Sequence, residues 1–180
     1  MLHKIISGGQ TGADMGGLIA AHKLNVQTGG TAPDGFMTAI GPNPLLELLG
    51  LVARGTLKTR TLENIRSSGG TVILTERFDS PGSVLTRRFC RENGKPYLDI
   101  DLGQFISAAP GALESSLGTA LKTTYSAIVD FVRQHQISVL NIAGNRERRD
   151  RNDITKWTEI IIAGALELLE LEGELTKIDK

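Results

Sequence analysis

The segment Thr71–Thr75, with the sequence TVILT, is the feature that most constrains the fold of this chain. It is continuous, apolar and largely β-branched, which is typical of a strand that is buried on both faces of a parallel sheet. Parallel strands need long crossover connections between them, and these are usually helices. The segment therefore predicts a protein in which strands and helices alternate.

The rest of the chain follows this alternation. The predicted strands are residues 5–6, 25–28, 71–75, 97–100 and 139–143, and the predicted helices are residues 12–24, 61–67, 83–93, 124–135 and 153–171. The pattern predicts right-handed βαβ units in a single Rossmann-like, doubly wound α/β domain. We expect a mainly parallel sheet of about five or more strands with helices on both faces.

The boundaries of this domain are predicted at residues 1–172, and residues 173–180 form a charged C-terminal tail that we expect to fray. Residues 31–59 form a long connection, in which 45–52 could be a short buried helix. Residues 101–122 match no single pattern. Long connections inside a compact domain are often binding loops.

Composition narrows the class of protein. Twenty basic residues balance twenty acidic ones, which disfavours a nucleic-acid binder. The single cysteine, Cys90, excludes an internal disulfide and suits a reducing cytoplasm. The first residues leave no room for a signal peptide, and no apolar run could span a membrane, so we expect a cytoplasmic protein. The three histidines have no carboxylate or cysteine at ligand spacing, and we predict no metal site.

The stretch Ser7–Asp14, with the sequence SGGQTGAD, joins the first strand to the first helix. We predict that Thr11 caps this helix, with Asp14 at a capping-box-like spacing. The free N–H groups and the dipole of a helix N-terminus favour an anion. The sequence therefore predicts a phosphate-binding turn, although a tight turn without a ligand is the alternative. Its residues are Gly8, Gly9, Gln10, Thr11, Gly12 and Asp14.

Two further loops are expected near this turn, because ligands of such sheets bind beyond the carboxyl ends of the strands. If the first strand is central, its neighbours would be strands 25–28 and 71–75. The loop Asp79–Ser83 would then face the first turn and offer a second helix N-terminus.

The residues predicted to contribute from these loops are polar or glycine. We expect Ser83 to cap the second helix and Thr86 to add a hydroxyl one turn later. Arg146, after the last strand, is a candidate clamp for a phosphate or carboxylate. The full set from these loops is Ser80, Gly82, Ser83, Thr86, Asn145 and Arg146.

Several segments together resemble the molybdenum carrier family, which is similar to the molybdenum cofactor carrier proteins and related to the Rossmann-like LOG and lysine-decarboxylase-like group. The resemblance rests, in chain order, on Ile5–Asp14, on Gly29-Gly30 with Pro33-Asp34-Gly35, on Arg60-Thr61 with Asn64, on Lys95–Leu102, and on Val139–Gly144 with Arg146-Glu147. It covers residues 4 to about 169. The chain departs from the family at Pro81-Gly82-Ser83, where the family tends to have Gly-Gly-Thr.

The resemblance implies a carrier that binds the molybdenum cofactor, a pterin that bears a phosphate, and that could pass it to molybdoenzymes. It also adds Pro33, Asp34, Gly35, Arg60, Thr61 and Asn64 to the expected site. The Pro-Gly-Gly-x-Gly-Thr-x-x-Glu motif of the cytokinin-activating phosphoribohydrolases is absent from this sequence. The missing glutamate favours a binding protein over an enzyme of that type.

Two other functions remain open from the sequence. The same scaffold could belong to an enzyme that processes a nucleotide or phosphoribosyl group, for which Asp14, Asp34 or Asp101 would supply the acid or base. It could also belong to a nucleotide sensor or partner-binding protein. We further expect a homo-oligomer, as a guess a dimer, since the last helix is rich in apolar residues. These are Ile160, Ile161, Ile162, Leu166, Leu168 and Leu169.

Overall fold

The computed structural model describes residues 1–107, 114–148 and 153–178. A six-stranded sheet lies at its centre, in the strand order β5-β2-β1-β8-β6-β7, and every neighbouring pair of strands is parallel. These strands are β1 (Lys4–Ser7), β2 (Gln27–Ala32), β5 (Leu51–Ala53), β6 (Gly70–Thr75), β7 (Tyr97–Asp101) and β8 (Val139–Gly144). Two short strands, β3 (Met37–Thr38) and β4 (Gly41–Pro42), form a separate antiparallel hairpin.

Helices cover both faces of the sheet. The helices are α1 (Ala13–Lys23), α2 (Leu45–Leu48), α3 (Leu57–Arg66), α4 (Pro81–Glu92), α5 (Gly103–Ile106), α6 (Glu114–Gln134) and α7 (Asp153–Leu171). From β1 to β2 the chain moves one way along the sheet, and from β6 to β7 it moves the opposite way. Right-handed crossovers therefore place α1 and α4, the helices of these two connections, on opposite faces of the sheet. Helix α7 packs between α1 and α6, and α3 packs against α4. The predicted Rossmann-like, doubly wound α/β fold is confirmed.

The predicted neighbour of the first strand is wrong. The last strand, β8, lies between β1 and β6 and pairs with both of them. In this register Asn141 of β8 is opposite Ile6 on one side and Thr71 on the other. The carboxyl ends of β1, β8 and β6 are therefore adjacent, and the loops that follow them meet at one edge of the sheet.

The long connection 31–59 contains more regular structure than the sequence predicted. Strand β2 continues through Gly29 and Gly30 to Ala32, and the predicted helix over 45–52 is a single turn followed by the edge strand β5. Burial explains this: Leu46 and Leu51 are buried, whereas Leu48 is exposed. The buried apolar residues of this segment thus form part of a small separate core beside α1, and they do not lie on one face of a longer helix.

The helix before β8 is longer than predicted. The predicted helix over 124–135 begins earlier, at Glu114, and residues 108–113 lie outside the described part. The tail is hydrogen-bonded to the rest of the domain: Thr176 donates its N–H to the carbonyl of Leu2 at 2.8 Å, and Ile178 donates its N–H to the carbonyl of Asn25 at 2.8 Å. Residues 179–180 of the predicted tail lie outside the described part.

The apolar residues of α7 do not form an exposed face. Ile161, Ile162, Leu166 and Leu169 are buried in the main core, and the other two in the predicted set are half-buried. This removes the argument from the sequence for a dimer through α7. None of the described helices is long and apolar enough to cross a membrane.

Candidate functional site

The turn Gly8–Gly12 between β1 and α1 is held by hydrogen bonds within the protein. Five consecutive backbone N–H groups have acceptors there: Gly9 donates to Ser7 Oγ, Gln10 to Asp14 Oδ2, Thr11 to Gln10 Oε1, Gly12 to Thr155 Oγ1 and Ala13 to the carbonyl of Asn145. The distances lie between 3.1 and 3.2 Å. In this arrangement these five groups are not free to bind an anion.

The cap predicted for α1 is wrong. The residue at the cap position is Gly12, and no side chain caps the helix. The hydroxyl of Thr11 has no hydrogen-bond partner among the described residues. Gly12 has a φ of 86°, and a Cβ there would lie 2.3 Å from the carbonyl oxygen of Asn145. The turn therefore needs glycine because it packs directly on the loop that follows β8.

Asp14 and Arg60 form an ion pair beside this turn. Arg60 Nη1 lies 2.8 Å from Asp14 Oδ2, and the side chains are 14% and 5% exposed. Gly8 makes this approach feasible, since a Cβ at that position would lie 1.5 Å from Arg60 Nη1. Residues from the first turn, from α1 and from α3 thus converge on one buried pair.

Burial raises the pKa of Asp14 above its ordinary value of 3.8. The charge of Arg60 and the N–H groups of Gln10 and Gly8 act in the opposite direction but do not cancel the effect. A carboxyl with a raised pKa gains a proton more easily, and Arg60 would then keep a positive charge that Asp14 no longer balances.

A cleft that is partly open to solvent, with a cavity volume of about 50 Å³, lies between α3 and α4 above the ends of the central strands. Its lining consists of Asp14, Arg60, Thr61, Asn64, Gly82, Thr86, Asn141, Ala143 and Gly144. The cleft brings together six residues that the sequence predicted, from three distant segments: Asp14 from the first turn, Arg60, Thr61 and Asn64 from α3, and Gly82 and Thr86 from α4.

Both helices beside the cleft direct their N-termini to the carboxyl edge of the sheet. Each helix dipole adds a partial positive charge there. Within the described residues, the N–H of Gly82 in the first turn of α4 has no acceptor, and the buried Nε of Arg60 has none either. In the α3–α4 cleft the N–H of Gly82 and the Nε of Arg60 thus lack acceptors, whereas the five N–H groups of the first turn are occupied.

The first turn of α4 is capped by Ser80, and the predicted cap Ser83 is wrong. Ser80 Oγ accepts from the N–H of Ser83 at 3.3 Å, and Pro81 takes the first helical position. Pro81 has no N–H, so one donor of this N-terminus is missing. The hydroxyl of Thr86 donates to the carbonyl of Gly82 at 2.9 Å and keeps its lone pairs for a donor in the cleft.

Asn145 organises the loop after β6 and is not free to bind a ligand. Its Oδ1 accepts from Thr75 Oγ1 and from the N–H groups of Glu76 and Arg77, at 2.7–2.9 Å. Its Nδ2 donates to Ser80 Oγ at 2.9 Å and Ser83 Oγ at 3.2 Å. The amide thereby connects the end of β8 to the start of α4 and positions the N-terminus of that helix.

Other predicted residues lie outside the cleft or are already bonded. Arg146 is exposed and does not line the cleft. Asp34 Oδ1 accepts from the N–H of Gly55 at 2.6 Å, which fixes the Pro33–Gly35 turn beside the start of α3. Asn64 lines the cleft, but its amide exchanges two hydrogen bonds with the backbone of Thr31, at 2.8 and 3.0 Å. We therefore assign Asn64 mainly to holding α3 on β2.

The sequence analysis missed three residues of the cleft, Asn141, Ala143 and Gly144. One signal was available: Asn141 is a polar residue in the middle of an apolar strand, where an amide has to find partners. The importance of Gly144 could not be recognised from the sequence. Its φ is 158°, and a Cβ there would lie 1.8 Å from the carbonyl of Leu74, a contact that only the position of β8 beside β6 creates.

Comparison with known proteins agrees with this architecture. A family model described as the circularly permutated YpsA SLOG family matches residues 5–165. A crystal structure of a putative molybdenum carrier protein from Syntrophus aciditrophicus SB is 32% identical to the chain, with a TM-score of 0.77. The alignment covers 92% of this chain and 95% of that protein. No curated protein matches the chain. The family resemblance predicted from the sequence motifs is confirmed.

Proposed function

The chain belongs to the circularly permutated YpsA SLOG family, and from this premise we propose that it is a binding protein that holds the phosphate group of a small ligand in the α3–α4 cleft. One observation carries the proposal. The guanidinium of Arg60, fixed by Asp14 on one side, has a buried Nε without a partner and lines the same cleft as the free N–H of Gly82.

Electrostatics support an anion in this position. Arg60 is the cationic residue of the cleft lining, and two helix N-termini add to its field. Guanidinium–phosphate contacts are strong because they combine charge with directed hydrogen bonds. Asp14 opposes an anion, but its raised pKa makes protonation accessible when a second negative charge arrives. Asp14 therefore serves to position Arg60 and need not repel the ligand.

We further propose that the ligand is the molybdenum cofactor, with a nucleotide or another phosphorylated small molecule as the alternative. The name of the Syntrophus aciditrophicus protein supports this choice, as does the phosphate that the cofactor's pterin bears. With space for solvent of only about 50 Å³, the cleft is much smaller than typical ligand pockets of about 300–1,000 Å³, so it would hold the phosphate and leave most of the ligand at the open mouth. Release to a cytoplasmic molybdoenzyme would then need little rearrangement.

An enzyme that processes a nucleotide or phosphoribosyl group is the second candidate. The observation that favours it is the buried carboxyl of Asp14, whose pKa is raised in a cleft, since such groups are candidates for acid–base catalysis. Asp101 does not support it, because this residue is exposed outside the cleft lining and accepts from the N–H of Gly103 at 2.7 Å. Incubation with nucleoside monophosphates, followed by mass spectrometry for products, separates the two candidates.

The proposal is tested by titration calorimetry with inorganic phosphate and with a pterin monophosphate. Arg60→Gln should weaken both at least about tenfold, because a charge-assisted hydrogen bond is worth about 1.5–3 kcal/mol. Arg66→Gln is the matched control, since Arg66 lies on the same helix, is exposed and bonds to Asn93. Equal affinity for wild type and Arg60→Gln, with both proteins folded by circular dichroism, would contradict the proposal.

A second measurement identifies the natural ligand. Native mass spectrometry of the protein, purified gently from its own cells, should detect molybdopterin with wild type and much less with Arg60→Gln. Detection of an intact nucleotide would mean that the protein binds the alternative ligand and not the cofactor. Recovery of nucleotide fragments would favour the enzyme.

A further inference from the structure

Asn141 is a buried polar side chain at the floor of the cleft that the phosphate-binding proposal does not use. It lies on β8, between β1 and β6, and only 3% of its surface is exposed. An amide at such a place in a sheet costs stability unless its polar atoms find partners. Both ends of this amide therefore need hydrogen-bond partners.

One end is accounted for by the protein. Nδ2 of Asn141 donates to the hydroxyl oxygen of Thr71 on the neighbouring strand, at 3.1 Å. Thr71 is fully buried, so this contact is shielded from water and holds the amide in place. The other end, Oδ1, accepts no hydrogen bond from the described parts of the chain, and it is not one of the fully enclosed polar atoms, so it reaches the solvent.

Asn141 lines the cleft together with Arg60 and Gly82, so its unbonded Oδ1 is the end of the amide that is available to a ligand there. The cleft thus combines donors for an anion, from Arg60 and the N-terminus of α4, with an acceptor at its floor. A fully ionised oxyanion carries acceptors only. Placed in this cleft it would leave Oδ1 of Asn141 without a partner and facing negative charge.

We propose that Asn141 is the specificity-determining residue of the cleft, and that its Oδ1 accepts a hydrogen bond from an O–H or N–H group carried by the ligand beside its anionic oxygens. This inference rests on the proposed function, because it assumes that an anion binds between α3 and α4. The simplest ligand of this class is hydrogen phosphate, whose P–OH group is such a donor. Sulfate has the same tetrahedral shape but carries no proton at neutral pH.

The test compares phosphate with sulfate by titration calorimetry at pH 7 and constant ionic strength. Wild type should prefer phosphate by at least about tenfold, since a site built around a hydrogen bond discriminates strongly against an analogue that lacks it. Asn141→Val removes the acceptor and places a β-branched residue in the strand. It should weaken phosphate binding without weakening sulfate binding, and it should reduce the preference to less than about threefold.

Thr158→Val is the matched control. Thr158 is also a fully buried polar residue, its hydroxyl has no partner in the described structure, and it lies on α7 at the opposite face of the sheet. The Thr158→Val variant should prefer phosphate over sulfate by the same factor as wild type. If Asn141→Val does not give a folded protein by circular dichroism, Asn141→Ser, which withdraws the acceptor from the cleft, should show the same loss of preference.

The outcomes separate this inference from the proposed function. Equal binding of phosphate and sulfate by wild type, both weakened by Arg60→Gln, would overturn the role of Asn141 and leave the anion site intact. A phosphate preference that survives in the folded Asn141 variants would overturn it as well. If wild type binds neither anion, the proposed function fails and this inference fails with it.

Discussion

Replacing Gly8 with alanine tests whether the Asp14–Arg60 pair depends on a glycine in the first turn. The backbone of Gly8 does not have a positive φ, so alanine is not excluded by conformation. The constraint is steric, because the new Cβ would lie 1.5 Å from Nη1 and 2.2 Å from Cζ of Arg60. The atoms in the way belong to a side chain, so we expect Arg60 to move away and the backbone to stay.

The expected loss of stability follows from the burial of the pair. Breaking a buried ion pair on one side costs about 3–5 kcal/mol. Because Arg60 borders an open cleft and Asp14 can take up a proton, we expect the lower part of this range, about 3–4 kcal/mol. For a chain of this length a loss of 3 kcal/mol lowers the melting temperature by about 6–12 °C.

The assay is urea unfolding followed by the fluorescence of Trp157, the single tryptophan, which packs on Phe105 in the main core. The decisive comparison is a double-mutant cycle. With Arg60→Ala already present, the three atoms nearest to the new Cβ are gone. Gly8→Ala should then be neutral or stabilise the protein by about 0.4–1 kcal/mol, through the smaller entropy of the unfolded chain.

Additive effects of the two substitutions would refute this reasoning. They would mean that alanine at position 8 destabilises the fold through contacts other than Arg60. A Gly8→Ala variant that retains both its stability and its phosphate affinity would also refute it. Gly82→Ala is a suitable control, since a Cβ at that position meets no atom within 4 Å.

Two further predictions concern stability. Ser80→Ala should lower the free energy of unfolding by about 0.5–2 kcal/mol in urea titrations, because Ser80 Oγ caps α4, and a loss confined to Ser83→Ala would contradict this assignment. The raised pKa of Asp14 means that the folded state binds its proton more tightly than the unfolded state. The stability that Asp14 contributes should therefore be complete below pH 3.8 and decline as the pH rises through the raised folded pKa. The difference in unfolding free energy between wild type and Asp14→Asn should fall over that window, and a difference that rises with pH would contradict the burial argument.

Strands with strong local patterns could be predicted from the sequence, and strands without them could not. Thr71–Thr75 is apolar and β-branched throughout, and it is the centre of β6. The strand predicted at residues 25–28 stops at the two glycines through which β2 continues to Ala32, and β5, which has only three residues, was not predicted. Both form because a neighbouring strand supplies the hydrogen bonds, a tertiary effect that local composition does not encode.

The sequence named several residues that line the cleft, but it did not predict how they are arranged. Arg60 and Asp14 came from motifs, and they meet in the structure, but the sequence assigned the anion to the N–H groups of the first turn. Those groups are occupied because the loop after β8 packs against the turn and Thr155 of α7 reaches it. A phosphate-binding turn and a structural turn share the same glycines, so the sequence could not distinguish them.

The strand order explains why the cleft has its particular composition. Strand β8 separates β1 from β6, so its residues Asn141, Ala143 and Gly144 line the cleft together with Asp14 and Gly82. With β6 beside β1, as the sequence suggested, the site would have two glycine-rich loops and no floor residue of its own. The inserted strand supplies an amide at that floor, and Asn145 at its end positions the N-terminus of α4. If the cleft binds an anion, its selectivity should therefore depend on residues of β8, which are remote in sequence from the motif that first suggested a phosphate.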